Sequence, residues 1–233
     1  FVDLLAATIL DDSGGDPAKL SSWRILLPSR RACRSLRDAF LRLGGGKAML
    51  LPRMTPLGDL DEDEALFSDA GGLGGATELA HLPAIPDIRR ILMLSKLIRS
   101  FQEGTRDEAS SPAQSVELAR ELAHLLDESQ TERLDFGDLA GLAPEIFADH
   151  WQQTLKFLEI VTTLWPSVLE GEGMIDGTIR RNAVIEAQTA AWATSPPPYP
   201  VVAAGSTGSL PATADLLKVI AGLPEGRVVL PGF

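Results

Sequence analysis

Strand-like segments occur near both ends of this chain, and a long helical pattern separates them. Near the start, residues 23–27 form a short apolar run followed by a turn and an amphipathic helix, and residues 48–51 form a second apolar run. Near the end, residues 201–205 and 227–230 are strand-like and flank a helical pattern over residues 212–220. Strands that alternate with helices in this way are typical of a parallel sheet. The two ends are therefore expected to build one α/β sheet.

The middle of the chain predicts an all-α insertion into that sheet. Between Ile88 and Trp192, apolar residues recur at spacings of three and four, as they do on one face of a helix. We therefore predict three segments. Residues 1–58 begin the α/β domain, residues 59–196 form the helical insertion, and residues 197–233 return to the α/β domain.

Composition argues against several classes of protein. Of the 233 residues, 45% are hydrophobic and 23% are charged, which are ordinary values for a globular chain. No apolar run approaches the roughly 18 residues of a membrane span, so no membrane partner is expected. The chain opens with neither Met nor a basic segment, so we expect a fragment without a secretory signal that continues C-terminally. The single cysteine, Cys33, rules out internal disulfides and fits a cytoplasmic location.

The net charge of −11 is unevenly distributed along the chain. Residues 24–53 contain eight basic side chains and one acidic side chain. Four of the basic side chains follow the possible helix cap Ser29, and these are Arg30, Arg31, Arg34 and Arg37. Guanidinium groups near a helix N-terminus attract phosphate oxygens, because the helix end also offers unpaired N–H groups. The arginines therefore predict contact with DNA or RNA. The alternative is a solvated helix face with ion pairs to the acidic remainder of the chain.

Two glycine-containing segments resemble loops that bind phosphate. The first, LGGGKAML at residues 43–50, lacks the first glycine and the hydroxyl residue of G-x-x-x-x-G-K-[ST], so we expect its glycines to end a helix. The second leaves a strand and precedes a helix, and it consists of Gly205, Ser206, Thr207, Gly208 and Ser209. This loop predicts either an anion site or a turn with a helix cap.

The sequence predicts no catalytic residue, no metal ligand and no cofactor. The acidic segment at residues 59–64 lacks the spaced ligands and the glycine of a calcium loop, and a solvated helix start is expected there. Neither H-E-x-x-H nor G-x-S-x-G occurs in the chain. Cys33 falls on the apolar face of its helix, which favours a buried structural thiol over a nucleophile.

Five segments, taken together and in this order, resemble the N-terminal region of the AddB family of alphaproteobacteria. AddB is the second subunit of the AddAB helicase–nuclease. The resemblance spans nearly the whole chain, although none of the segments is itself catalytic. The segments are ILLPSRRACRSLRDAFLR, LLPRMTPLGDLDEDE, LLDESQTERLDF, HWQQTLKFLEIVTTLWP and VVAAGSTGSLPATADLLKVIAGLPEGRVVLPG.

The resemblance implies both a fold and a role. The implied fold is a RecA-like α/β domain, as in superfamily-one helicases, with a degenerate P-loop NTPase-like site and an inserted helical domain. The resemblance implies that ILLPSRRACRSL contacts single-stranded DNA and that AGSTGSLPATADLL adjoins the degenerate nucleotide site. It further implies a non-motor module in double-strand break repair and recombination, which binds single-stranded DNA or a duplex end, helps to recognise a hotspot and docks onto the AddA subunit.

Two other functions remain open from the residues alone. One is an α/β enzyme domain that binds a phosphorylated metabolite or a nucleotide through the loop at residues 205–209. The other is a protein-interaction module in which the helical insertion binds a partner and the arginines balance acidic side chains.

Overall fold

The computed structural model describes residues 1–45, 48–57, 81–105, 111–134, 136 and 148–232. The chain divides into two compact units. The first consists of Phe1–Ala76 and Val184–Phe233, and the second is Thr77–Ala183. The acidic segment at residues 59–64 and Lys47 lie outside the described residues, and the domain boundaries predicted above stay a prediction.

Helices and strands alternate at the two ends of the chain, and the described elements between them are helical. The helices are α1 (Val2–Asp12), α2 (Pro17–Ser22), α3 (Arg30–Leu43), α4 (Asp87–Thr105), α5 (Pro112–Glu132), α6 (Ala148–Glu159), α7 (Trp165–Glu172), α8 (Gly177–Thr194) and α9 (Pro211–Gly222). The strands are β1 (Arg24–Leu27), β2 (Arg53–Pro56), β3 (Val201–Ala204) and β4 (Gly226–Val229). A π-helical turn, Ile160–Leu164, joins α6 to α7.

The four strands form one parallel sheet in the order β2-β1-β3-β4. In this register Arg24 of β1 pairs with Arg53 on one side and with Val201 of β3 on the other. Val201 in turn pairs with Gly226 of β4. The prediction of a mixed α/β fold with a parallel sheet built from both ends of the chain is confirmed.

The two faces of this sheet are covered by different helices. Successive residues of a strand point to opposite faces, so Ile25 and Leu27 lie on one face and Leu26 on the other. The first face packs against α1 and α3, and the second packs against α9 and the end of α8. Because α3 follows β1 and α9 follows β3, the direction of winding reverses between these two neighbouring strands.

Helix α3 begins and ends as its sequence predicts. The Ser29 hydroxyl accepts a hydrogen bond from the N–H of Ala32 at 3.3 Å, which caps the first turn. Cys33, Leu36 and Phe40 are buried on the face that meets the sheet. Gly45 has a φ of +59°, the left-handed conformation expected where the glycines end the helix.

The second predicted strand is wrong in position. Residues 48–51 form no strand, and β2 lies beyond them at Arg53–Pro56. The apolar run contributes packing instead, because Met49 and Leu51 lie against the core between α3 and the sheet. Pro56 is tolerated in β2 because proline, which cannot donate to a ladder, is accepted in strands at a sheet edge.

The described elements of the second unit are helices, apart from one isolated bridge between Ala84 and Ile175. Ser111 and Gln114 form a reciprocal capping box at the start of α5, and Arg133 ends that helix with a φ of +55°. Leu94 and Ile98 of α4 are among the buried residues that join α4, α5 and the π-helical turn. The predicted helical pattern between residues 88 and 192 is confirmed over these residues.

A buried polar cluster links several helices of the second unit. Asp176, immediately before α8, accepts hydrogen bonds at 2.9 Å from the indole Nε1 of Trp165 and the amide Nε2 of Gln130. Its other carboxylate oxygen lies 2.9 Å from Nε of Arg90. Arg90 Nη1 donates to both carboxylate oxygens of Asp127 at 2.9 Å. The cluster thus connects α4, α5, α7 and the start of α8.

Candidate functional site

The carboxyl ends of β1 and β3 lie side by side in the first unit. β1 ends at Leu27 and is followed by a two-residue turn into α3, whereas β3 ends at Ala204 and is followed by the loop at residues 205–209 and then α9. In open α/β sheets, ligands bind outside the carboxyl ends of strands where the winding reverses. The structure therefore brings together, at one edge of the sheet, the two segments that the sequence singled out. We call this edge the switch-point site.

The two loops of the switch-point site contact each other directly. Gly205 has a φ of +77° and donates its N–H to the carbonyl of Val229 at 2.8 Å. A Cβ added at Gly205 would lie 3.6 Å from Cδ of Pro28 and 3.7 Å from Cε1 of Phe1. The backbone of the 205–209 loop thus lies against the turn before α3 and against the first residue of the chain.

Hydrogen bonds within the 205–209 loop shape it as a turn. The Ser206 hydroxyl accepts from the N–H of Gly208 at 3.3 Å, and the hydroxyl of Thr207 lies 3.5 Å from that of Ser209. Thr207 and Ser209 are exposed, and Gly208 has a φ of +69°. The loop therefore presents two hydroxyl groups to solvent at the carboxyl end of β3.

The loop does not supply a side-chain cap to the helix that follows it. The N-cap residue of α9 is Leu210, which has no side-chain hydrogen bond to the first turn, and Pro211 occupies the first helical position. The expectation that a side chain of this loop caps the following helix is therefore wrong. The first turn of α3, in contrast, is capped by Ser29. The two helices that begin at the switch-point site thus differ in how their N–H groups are satisfied.

The four predicted arginines differ in exposure. Arg31, Arg34 and Arg37 are exposed, whereas Arg30 is half-buried at the start of α3. The three exposed residues follow one another at intervals of three, which is about 4.5 Å per step along the helix axis. Among the described residues, none of these three forms an ion pair or a side-chain hydrogen bond. We refer to Arg31, Arg34 and Arg37 as the arginine row.

Other basic residues of the same segment have partners within the protein. Arg42, near the end of α3, forms an ion pair with Asp3 of α1 at 2.5 Å. The guanidinium of Arg24 lies over the ring of Tyr199, 4.8 Å from its centroid. Some of the positive charge of the basic segment is therefore paired within the protein. Among the described residues of the segment, the arginine row is the group of exposed cations that could meet an external anion.

The chemistry of the switch-point site is that of guanidinium groups and hydroxyls. Guanidinium forks donate two parallel hydrogen bonds to phosphate or carboxylate oxygens, and serine and threonine hydroxyls also donate to such oxygens. Ala203 and Ala204 are the last residues of β3, so the strand end carries no carboxylate. Within the described ranges, no three His, Cys, Asp or Glu side chains are placed to hold a metal ion together.

Sequence reasoning missed the contribution of α1 to this site. Phe1 lies beside the 205–209 loop, and Leu5 and Ile9 anchor α1 in the core. The signal was available, because Leu5 and Ile9 have the spacing of one helix face in the opening residues. What the sequence alone lacked was a reason to place that helix beside a loop two hundred residues later.

A cavity of about 480 Å³ lies at the opposite end of the sheet, where the strands begin. Its lining includes Trp23, Lys19 and Glu225, together with an ion pair between Asp12 and Arg227. The cavity is therefore lined by both acidic and basic side chains, so its lining does not favour an anionic over a cationic ligand. We do not assign it to the candidate site.

Comparison with known proteins does not identify the family. No protein-family model matches the sequence, and no curated protein matches it significantly. The resemblance to AddB therefore stays a hypothesis. Across the described part of the chain, every helix is too short or too polar to span a bilayer.

Proposed function

We propose that this chain is a non-motor, helicase-like module of the AddB type that binds single-stranded DNA through the arginine row. The proposed role is in the repair of double-strand breaks, in a cytoplasmic complex with an AddA-type helicase–nuclease. The observation that carries the DNA assignment is the exposure of Arg31, Arg34 and Arg37, without partners among the described residues, in the first three turns of α3. AddA as the protein partner and hotspot recognition rest on the sequence resemblance alone.

The geometry of the arginine row fits a phosphate backbone better than a single small anion. Three guanidinium groups spread over about 9 Å of helix axis can each engage a different phosphate. Contacts of this kind fix the position of a nucleic acid without reading its sequence. The overall net charge of −11 then keeps the rest of the surface from attracting the same polyanion.

The fold is compatible with the proposal. A parallel, doubly wound sheet with a helical unit inserted between β2 and β3 is what a RecA-like domain of a superfamily-one helicase would present. Two sequence features support a module that does not hydrolyse ATP. The chain has no G-x-x-x-x-G-K-[ST] motif, and β3 ends in Ala203 and Ala204 where a motor would carry carboxylates.

The test is fluorescence anisotropy with labelled single-stranded DNA over a salt series. The logarithm of the binding constant falls with log salt by about 0.7 per phosphate contact on single strands. Replacement of Arg31, Arg34 and Arg37 by alanine is therefore expected to weaken binding and to reduce this slope by about 2.

A matched control removes the same amount of positive charge elsewhere. Alanine at Arg99, Arg120 and Lys218 deletes three exposed cations that form ion pairs within their own helices. This control is expected to leave the slope close to that of the unmodified protein. Equal losses in both triple variants would mean that only net charge matters, and unchanged binding in the arginine-row variant would refute the DNA assignment.

A second candidate function is binding of a nucleotide or a phosphorylated metabolite at the switch-point site. Two observations favour it: the first turn of α9 lacks a side-chain cap, and the Thr207 and Ser209 hydroxyls are exposed beside it. Calorimetry with ATP and magnesium or with inorganic phosphate tests this candidate. Saturable binding that is lost when Thr207 and Ser209 become alanine would support it.

A protein-interaction module is the remaining alternative. It would be favoured if a protein partner binds the arginine-row variant normally and the unmodified protein shows no DNA binding.

A further inference from the structure

The cavity at the start of the strands lies within the first unit, between the end of α1, α2 and the segments at residues 198–200 and 224–227. We call it the strand-start cavity. Arg24 of β1 donates its backbone N–H to the carbonyl of Pro200 at 2.9 Å, and Val201 of β3 donates to the carbonyl of Glu225 at 3.1 Å. The two segments that precede β3 and β4 are therefore tied to neighbouring strands.

The walls of the strand-start cavity are rigid and partly apolar. Pro198, Pro200 and Pro224 line it, and a proline ring fixes its own φ. The indole of Trp23, which is 5% exposed, adds a large apolar side chain to the lining. The volume of about 480 Å³ lies within the roughly 300–1,000 Å³ of small-molecule sites. A cavity with such walls is largely preformed, which reduces the entropy lost when a ligand binds.

Four charged side chains line the cavity, two acidic and two basic. Asp12 and Arg227 form an ion pair with each other, and the Arg227 guanidinium lies 5.7 Å from the centre of the Trp23 ring. Lys19 and Glu225, in contrast, are exposed and form no ion pair with each other or with another described residue. The lining therefore carries no net charge but offers one ammonium group and one carboxylate group to a ligand.

We propose that the strand-start cavity binds a small zwitterion, namely a short peptide with free ends. The carboxylate of the peptide pairs with Lys19 and its ammonium group with Glu225, while an apolar side chain lies against Trp23 and the prolines. In a short peptide the two charges are separated by at least one peptide unit. This separation suits two protein groups that are too far apart to pair with each other. The inference goes beyond the proposed function and does not depend on it.

Other classes of small ligand fit these charges less well. A nucleotide would bring several negative charges towards Asp12 and Glu225, and like charges across a binding site repel each other. A polyamine would meet the same repulsion at Lys19 and Arg227. An uncharged ligand would cover Lys19 and Glu225 without giving either charge a partner, which costs free energy. A ligand with one charge of each sign avoids all three penalties.

The experiment is calorimetry of the full chain with leucyl-leucine, a dipeptide whose two ends are free. Two further probes have the same side chains but lack one charge each. The N-acetylated dipeptide has no ammonium group, and the C-terminal amide has no carboxylate. The free dipeptide is expected to bind about 5-fold or more tightly than either probe, which is the effect of one charged contact partly shielded from water. Equal affinities for all three probes, or no binding of the free dipeptide at millimolar concentrations, would overturn the inference.

Two variants locate the charged contacts in the cavity. Lys19→Met is expected to bind the free dipeptide and its amide equally, and Glu225→Gln to bind the free and acetylated dipeptides equally. Each variant thus loses one preference and keeps the other. Lys218→Met is the matched control, because it removes an exposed cation that pairs with Asp215 on α9, and it should keep both preferences. A Lys19→Met protein that keeps its full preference for the free carboxylate would refute the proposal.

The outcomes separate this inference from the proposed function and from other occupants of the cavity. A chain that binds no DNA but shows both dipeptide preferences would refute the proposed function and still support the inference. ATP binding that is lost in Lys19→Met, without any dipeptide binding, would assign the cavity to anions and overturn the inference. A protein partner that is lost in both Lys19→Met and Glu225→Gln, again without dipeptide binding, would assign it to protein docking and also overturn the inference.

Discussion

Removal of the Asp176 carboxylate is expected to destabilise the second unit strongly. Asp176 is 1% exposed and its partner Arg90 is 8% exposed, so both charges are largely out of water. Asp176→Ala deletes three polar contacts at 2.9 Å, from Trp165, Gln130 and Arg90. Removing one partner of a buried ion pair typically costs about 3–5 kcal/mol of unfolding free energy, because the other charge is left without compensation.

The remaining contacts of Arg90 put the expected loss of unfolding free energy at the lower end of that range. Arg90 retains Asp127, which accepts from Nη1 through both carboxylate oxygens. The arginine therefore keeps one counter-charge, and we expect a loss of about 3 kcal/mol for Asp176→Ala. Asp176→Asn keeps an acceptor oxygen for Trp165 or Gln130, and its expected loss is about half as large.

The assay must report on this unit alone, because a chain with two compact units need not unfold in a single transition. Hydrogen exchange measured by mass spectrometry at low urea concentrations gives an opening free energy for peptides from α4, α5 and α8. Asp127→Asn is the matched control, since Asp127 contacts the same arginine but is 41% exposed. Asp127→Asn is expected to lower the free energy of unfolding by about 1 kcal/mol or less, because solvent screens the exposed carboxylate. A change below 1 kcal/mol for Asp176→Ala, or a larger effect at Asp127, would refute the reasoning.

Three glycine substitutions give further predictions for the sheet unit, each measured as a shift in urea midpoint. Gly226→Ala is expected to cost about 3 kcal/mol or more, because the added Cβ would lie only 1.8 Å from the backbone oxygen of Ile220. Gly222→Ala is the control, because Gly222 lies in the last turn of α9 with open space around it, and it should raise the free energy of unfolding by about 0.5–1 kcal/mol. A similar loss of stability in both variants would contradict the steric clash at Gly226. Gly205→Ala should cost about 1–2 kcal/mol through its φ of +77° rather than through crowding, and a stabilised variant would show that this strain is absent.

The fold class followed from local patterns, whereas strand positions depended on tertiary packing. The cap at Ser29 and the left-handed Gly45 are set by chemistry within one turn of chain, so they were predictable. The position of β2 could not be predicted in this way, because an apolar run such as residues 48–51 can pack against a helix as well as form a strand. The less apolar Arg53–Pro56 became the strand through its register beside β1.

The candidate site was predictable in its parts and not in its assembly. The arginines and the 205–209 loop were recognised separately from charge and glycine content. Their meeting depends on the pairing of β1 with β3, which local sequence does not encode. Which arginines are exposed depends on how α3 is rotated against the sheet, and this rotation leaves Arg30 half-buried while Arg31 is exposed.

The pairing of β1 with β3 has a consequence for how this protein is made. Arg24 pairs with Val201, so during synthesis β1 leaves the ribosome long before its neighbour exists. At about 5–20 residues per second, the delay between the two strands is roughly 10–35 seconds. Throughout that interval one edge of β1 lacks its native partner and resembles an unprotected sheet edge, to which other chains can add. We expect the nascent chain to need shielding by chaperones in this window, and the yield of folded protein to depend on translation speed through the helical insertion.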